Sequence, residues 1–103
     1  MTEYAVVLST ASVGEADKIA RALVEERLAA CVNVSQVKSY FKWEGKLSAD
    51  SEELMIIKTE RRMIEPLEKR IKELHSYKVP EVIVLSISEG DEAYLRWIGE
   101  SIG

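Results

Sequence analysis

With 103 residues, the chain is long enough for one domain, residues 1–103, built around one hydrophobic core. Its 18 acidic and 14 basic side chains leave a net charge of −4, which argues against a nucleic-acid partner, because such proteins present a basic face. A single Cys excludes an intramolecular disulfide, and one Cys with one His cannot fill a four-ligand Cys/His metal site; a soft-metal site must borrow carboxylates or further copies of the chain.

The first apolar run, Tyr4 to Leu8, is short and apolar on both faces, as in an interior strand. Ser12-Val13-Gly14-Glu15 then has capping-box spacing, a hydroxyl followed three residues later by a carboxylate. Behind it Ala16, Ile19, Ala20, Leu23, Val24 and Leu28 recur at helical spacing opposite charged residues. Residues 30–43 read as a long strand that changes phase: Val32 and Val34 share one face, whereas Val37, Phe41 and Trp43 fall on the other. That requires a bulge or bend near Ser35-Gln36, or a change of environment along the strand. Glu44-Gly45-Lys46 supplies a turn, and Leu54 to Thr59 is the returning strand.

Arms of a dozen residues would reach roughly 40 Å, well beyond the core of a domain whose radius of gyration should be near 13 Å. An overhanging apolar hairpin is an aggregation hazard unless another chain covers it, so oligomerisation is expected. The second helix carries Ile64, Leu67, Ile71 and Leu74 on one face and places Glu65–Lys69 and Glu68–Lys72 at favourable spacing. Pro66 must lie in its first turn, which puts the start near Arg62 to Glu65. Pro80 closes the connection, Val82 to Ile87 forms the last strand, and Asp91 caps a short helix burying Tyr94, Leu95 and Ile98. The order β-α-β-β-α-β plus a C-terminal helix is the ferredoxin-like split βαβ arrangement, an α+β fold. The longest uncharged run, Tyr4 to Gly14, has 11 residues, too few for a membrane helix, and no basic residue precedes it as a secretory signal would need. The expectation is a soluble intracellular protein.

Five blocks in order carry a family resemblance over nearly the whole chain. They are Ala30-Cys31-Val32-Asn33, Ser39-Tyr40 with Trp43-Glu44-Gly45-Lys46, Ile57-Lys58-Thr59, His75-Ser76-Tyr77 with Pro80-Glu81, and Tyr94-Leu95-Arg96-Trp97-Ile98. Together they resemble the CutA divalent-cation tolerance proteins. The resemblance implies a ferredoxin-like homotrimer in which strands of neighbouring subunits extend one another's sheets. It also implies a cytoplasmic role in tolerance of copper and other divalent cations, without a defined catalytic activity. The chain departs from the family pattern in two respects. Ser76 stands where His-Pro-Tyr is usual, and Ser9 and Leu74 stand where some bacterial members carry a further Cys and His.

Candidate metal ligands are Cys31, His75, Asp50, Glu52 and Glu81. Cys31 reads first as a small buried hydrophobe and second as a soft ligand or reactive thiol. His75, in the last turn of its helix, suits the helix dipole as well as it suits a metal; if both reach one inter-subunit cleft, thiolate plus imidazole is competent for copper. Asp50, Glu52 and Glu53 crowd the start of a strand, where like charges are either solvated or bridged by a cation. Lys58, at the end of an apolar strand, is expected to pair with Glu52 or Glu81. Tyr40, Phe41, Trp43 and Trp97 read as interface or core packing.

An RNA-recognition module of the same element order needs aromatics on its central strands, where this chain has Val6, Leu8, Leu54 and Ile56. An acylphosphatase needs an Arg in the loop after the first strand, and none occurs before Arg21. The reading that survives is a non-enzymatic homotrimer binding divalent cations between subunits. Its alternatives are a signalling trimer that takes a small anionic ligand in the subunit clefts and regulates a protein partner, and an interaction scaffold.

Overall fold

A computed structural model describes residues 3–103. The elements are β1 (Tyr4–Ser12), α1 (Ala16–Glu25), β2 (Cys31–Trp43), β3 (Lys46–Glu60), a 3-10 turn (Arg61–Met63), α2 (Ile64–Leu74), β4 (Ile83–Ser86) and α3 (Glu92–Ser101). The four strands form one sheet in the order β2-β3-β1-β4, antiparallel throughout. This is the ferredoxin-like α+β fold expected from the sequence, with β1 an interior strand.

One sheet face is covered by α1 and α2. Along β1 burial alternates strictly: Ala5, Val7, Ser9 and Ala11 point into the core. Opposite them in register lie Thr59, Ile57, Met55 and Glu53 of β3. Ile19 and Leu23 of α1 and Leu67 and Ile71 of α2 close this layer, all fully buried. The other face is covered only at one end, where Ile98 and Ile102 pack with Ala30 beside Tyr4, Met63 and Leu95. Val6, Leu8, Leu54 and Ile56 on that face are only half-buried, and Ile83 and Leu85 are each 47% exposed.

The phase change in β2 has a simple origin. β2 and β3 pair without interruption from Cys31↔Lys58 to Trp43↔Lys46, so there is no bulge at Ser35-Gln36. The environment changes instead. Val32 and Val34 lie on the helix-covered side near the core, whereas Val37, Phe41 and Trp43 continue the open face outward along the overhang. The hairpin stretches the molecule to 45 × 25 × 21 Å. β3 therefore starts eight residues earlier than the apolar run suggested, because its distal half, Lys46–Ser51, faces mostly solvent on both sides. At the tip, Glu44 and Gly45 both have positive φ, 51° and 78°, the requirement of a two-residue primed turn. Glutamate tolerates that region poorly and asparagine well, so Glu44→Asn is expected to stabilise the fold by about 0.5 kcal/mol, read as a rise in the urea midpoint.

The helix ends show which local signals survive folding. Asp91 caps α3 as expected, its Oδ2 accepting from the Tyr94 N–H at 3.0 Å. Pro66 lies in the first turn of α2, and Glu68–Lys72 forms an i,i+4 ion pair at 3.1 Å. The C-terminal helix buries Ile98 but leaves Tyr94 44% exposed. The capping box at Ser12–Glu15 does not form: the hydroxyl of Ser12 turns to Tyr77 and α1 has no side-chain cap from its own N-cap residue.

Candidate functional site

The missing cap on α1 is supplied from β3. Glu53 is the one carboxylate on the core-facing side of β3, in line with Met55, Ile57 and Thr59, and a carboxylate placed there must find donors. Its Oε1 accepts from the N–H groups of Gly14 at 3.0 Å and Ala16 at 3.1 Å, and its Oε2 from the Gln36 side chain at 2.9 Å. These bonds, that from Gln36 foremost and then those from Ala16 and Gly14, hold the carboxyl below its ordinary value. Glu53 is thus tied to structure, and the acidic cluster is split: Asp50 and Glu52 lie on the open face, with Asp50 exposed and Glu52 half-buried.

His75 is one residue past α2 in extended conformation, its ring fully buried. The Tyr4 carbonyl accepts from Ile87 on the β4 side, and strand alternation turns the Thr10 carbonyl the same way. There β4 has run out, since its pairing stops at Leu8↔Ile83. His75 takes over: its Nε2–H donates to the Thr10 carbonyl at 2.7 Å, and its Nδ1 accepts from the Tyr77 N–H at 3.0 Å. The hydrogen-bond pattern assigns the neutral Nε2–H tautomer, with both nitrogens engaged inside the chain.

Tyr77 completes the edge. Its hydroxyl donates to Glu52 Oε2 at 2.7 Å and accepts from Ser12 at 3.4 Å, and its ring lies 4.6 Å from that of His75. Burial, followed by the Glu52 carboxylate, pushes the phenol above its ordinary 10.0. A phenol raised in the folded state contributes stability present below about pH 10 and lost above it. Tyr77→Phe should cost ~1 kcal/mol in urea unfolding at neutral pH and flatten the alkaline fall in stability.

Cys31 is half-buried at the start of β2 on the open face, rather than a buried hydrophobe. Opposite it, Lys58 is bound by neither Glu52 nor Glu81; its ammonium donates to the Asn33 side-chain oxygen, which the Cys31 thiol also approaches at 3.9 Å. Cys31 and Glu52 are separated by six positions of pairing, about 20 Å along the strands. Glu81 is half-buried just before β4. Glu52 and His75 are linked through Tyr77; Cys31, Asp50 and Glu81 are not drawn into that group. Among the described residues no three His, Cys, Asp or Glu side chains are grouped to hold a metal ion. A groove of about 470 Å³ beside α3, lined by Tyr4, Glu89, Glu92, Leu95 and Arg96 among others, includes none of the five. No helix among the described residues is long and apolar enough to cross a membrane.

Sequence reasoning missed Tyr77, two residues along, and Glu15, whose Oε1 lies 3.5 Å from Nδ1, as neighbours of the His75 ring. Nothing in the sequence brings Glu15, 60 positions away, to His75. Glu53 was legible in principle, since its parity with Met55 and Ile57 places a carboxylate among core positions.

Residues 4–101 match the family model described as CutA1 divalent ion tolerance protein. The divalent-cation tolerance protein CutA of Thermus thermophilus is 44% identical over 102 residues, covering 98% of this chain and 99% of that protein. The chloroplastic protein CutA of Arabidopsis thaliana is 49% identical over 85 residues, 82% of this chain; the chain spans about half of that relative, 47% of its length. Among solved structures, the Thermus thermophilus divalent cation tolerance protein superposes with a TM-score of 0.91 at 46% identity, with both chains covered completely. The periplasmic divalent cation tolerance protein CutA from Archaeoglobus fulgidus gives a TM-score of 0.93 at 39% identity over 97% of this chain and 99% of that one.

Proposed function

Since the chain belongs to the CutA1 divalent ion tolerance family, we propose that it works as a homotrimer that binds divalent cations of the copper type between subunits and catalyses no reaction. The observation that carries this reading is the open sheet face. Val6, Leu8, Leu54 and Ile56 at its centre, Ile83 and Leu85 at its β4 edge, and Val37, Phe41 and Trp43 along the overhang form one apolar surface that a single chain leaves uncovered. Covering a fully exposed side chain of this kind is worth roughly 1.5–3 kcal/mol and these partly exposed ones about half or less each, which neighbouring copies supply if their open faces turn inward around an axis.

The same assembly resolves the shortage of ligands. Asp50 is exposed and Glu52, Glu81 and Cys31 are partly exposed in one chain, and a trimer would supply three copies of each. Carboxylates suit hard divalent ions, and a thiolate tilts the set toward copper or zinc. His75, with both nitrogens engaged, supports the loop beside Glu52 in this reading.

The test is light scattering followed by calorimetry on demetallated protein. A trimer that takes up Cu2+ or Zn2+ in a whole-number ratio per assembly is expected, and absence of binding tighter than ~10 μM defeats the cation reading. One observation favours the signalling alternative. Lys58 stands on the open face with an amide, not a carboxylate, as its partner, which leaves its charge available to an anionic ligand. Saturable nucleotide binding in the same calorimeter, without cation binding, would select it.

A further inference from the structure

Beyond the core the β2–β3 ribbon has two sides of different character. The helix layer ends at Glu53, the outermost buried position of β3, where Gly14 and Ala16 of the α1 entry donate to its carboxylate. On the side of the open sheet face stand Val37, Phe41 and Trp43. On the opposite side, pairing sets Lys38 against Ser51, Tyr40 against Ala49 and Lys42 against Leu47. All six side chains there are exposed, Tyr40 by 68% and Leu47 by 76%. Tyr40 and Leu47 are diagonal neighbours, and the two lysines flank Tyr40 along β2.

Charge separates the ribbon from the body. Residues 37–49 hold three Lys and one Glu, whereas the other 90 residues hold 11 basic and 17 acidic side chains. A ribbon of charge +2 thus projects from a body of charge −6. No carboxylate stands on the Lys38–Leu47 side between Glu53 and the turn. Neither Lys38 nor Lys42 is in an ion pair among the described residues. Leu47 lies six positions from Glu53, about 20 Å along the strand, while charge is screened over about 8 Å at physiological salt. The acidic body therefore does not cancel the outer part of this basic side.

We propose that the Lys38–Leu47 side of the ribbon adsorbs to an anionic lipid surface. Tyr40 and Leu47 enter the headgroup layer, and the lysine stems follow them while their ammonium groups meet lipid phosphates and carboxylates. Shape and chemistry together select this occupant. Side chains this exposed stand out from the ribbon, so whatever receives them must deform around them, as a headgroup layer does. Adsorption requires no membrane-crossing helix. It also leaves the open sheet face to neighbouring copies, and it holds whether or not the chain binds cations.

The test is vesicle sedimentation with the full chain, comparing phosphatidylcholine vesicles that carry about 30% phosphatidylserine with pure phosphatidylcholine. Partition onto the anionic vesicles is expected at ~50 mM salt, about tenfold or more above that onto neutral ones, and largely lost by ~300 mM. Lys38→Ala with Lys42→Ala should weaken it about tenfold or more, since each ammonium contributes about fivefold. Tyr40→Ser with Leu47→Ser should weaken it about tenfold at unchanged charge, which a purely electrostatic contact would not show. Lys18→Ala with Lys69→Ala removes the same charge from exposed helix positions and should leave partition within about twofold. Far-UV circular dichroism confirms that each variant is folded. Equal partition onto both vesicle types, a chain that stays in solution with anionic vesicles at low salt, or ribbon variants that partition like the parent would each overturn the proposal. Saturable binding of poly-glutamate without binding to anionic vesicles would overturn it in favour of an acidic protein partner.

Discussion

The double variant Ile83→Asp, Leu85→Asp is expected to be a folded monomer under conditions where the parent chain is a trimer. Both side chains are 47% exposed in the single chain, so carboxylates there remain hydrated and the fold tolerates them. In an assembly that closes over the open face, each subunit loses roughly 0.7–1.5 kcal/mol per half-exposed apolar side chain and must bury two unpaired charges, the larger cost, in addition. Together these terms amount to at least ~4 kcal/mol per subunit, a factor of about a thousand or more in the association constant. Light scattering at micromolar concentration with far-UV circular dichroism reads both halves of the prediction. A variant that remains trimeric would show that the copies meet elsewhere, and the open face would lose its place in the functional proposal.

The second large effect is acid sensitivity through Glu53. Its carboxyl lies below the ordinary 4.5 because its ionised form receives bonds from Gln36, Ala16 and Gly14. A carboxyl lowered in the folded state contributes stability that is present above pH 4.5 and lost as the pH falls through its folded value. Glu53→Ala should therefore lower the melting midpoint by roughly 5–10 °C at neutral pH, since it removes the α1 cap and strands the Gly14 and Ala16 amides. The difference from the parent chain should shrink steadily below pH 4.5. A deficit that is the same at pH 7 and pH 3 would mean that the ionised state of Glu53 is not what stabilises the fold. Because the carboxylate also reaches Gln36 on the edge strand, the variant should loosen the β2–α1 contact and raise amide exchange at the start of α1.

These effects place the boundary between near and distant information. The Asp91 cap, the position of Pro66 and the turn at Glu44-Gly45 are properties of neighbours a few positions apart and are realised, as is the periodicity of α1 and α2 except that Val24 is exposed and Leu28 lies beyond α1. The Ser12–Glu15 signal has the same form as a working capping box but loses to a stronger donor-acceptor match: Glu53 is 37 residues away from the amide it caps. A short motif states what a helix end could use; packing decides which of several competent groups reaches it.

The candidate site divides in the same way. Residue types marked five candidate ligands, and the fold distributes them: Cys31 and Glu52 about 20 Å apart along one hairpin, His75 at a sheet edge that β4 does not reach. Lys58 was expected on a carboxylate because charge seeks charge, but strand register sets its partner, and register places Asn33 within its reach.

One Cys and one His remain too few for a soft-metal site in a single chain, and the fold keeps them apart, Cys31 on the open face and His75 buried at a sheet edge. The sequence by itself determined the element order, the family and the shortage of soft ligands in one chain. Tertiary structure alone decided that Glu53 caps α1, that His75 is engaged at both nitrogens, and that one apolar face stays open. The reason is range. Helical and strand periodicities are written in residues two to four positions apart, whereas a buried polar atom is satisfied by whichever group the whole fold delivers to it.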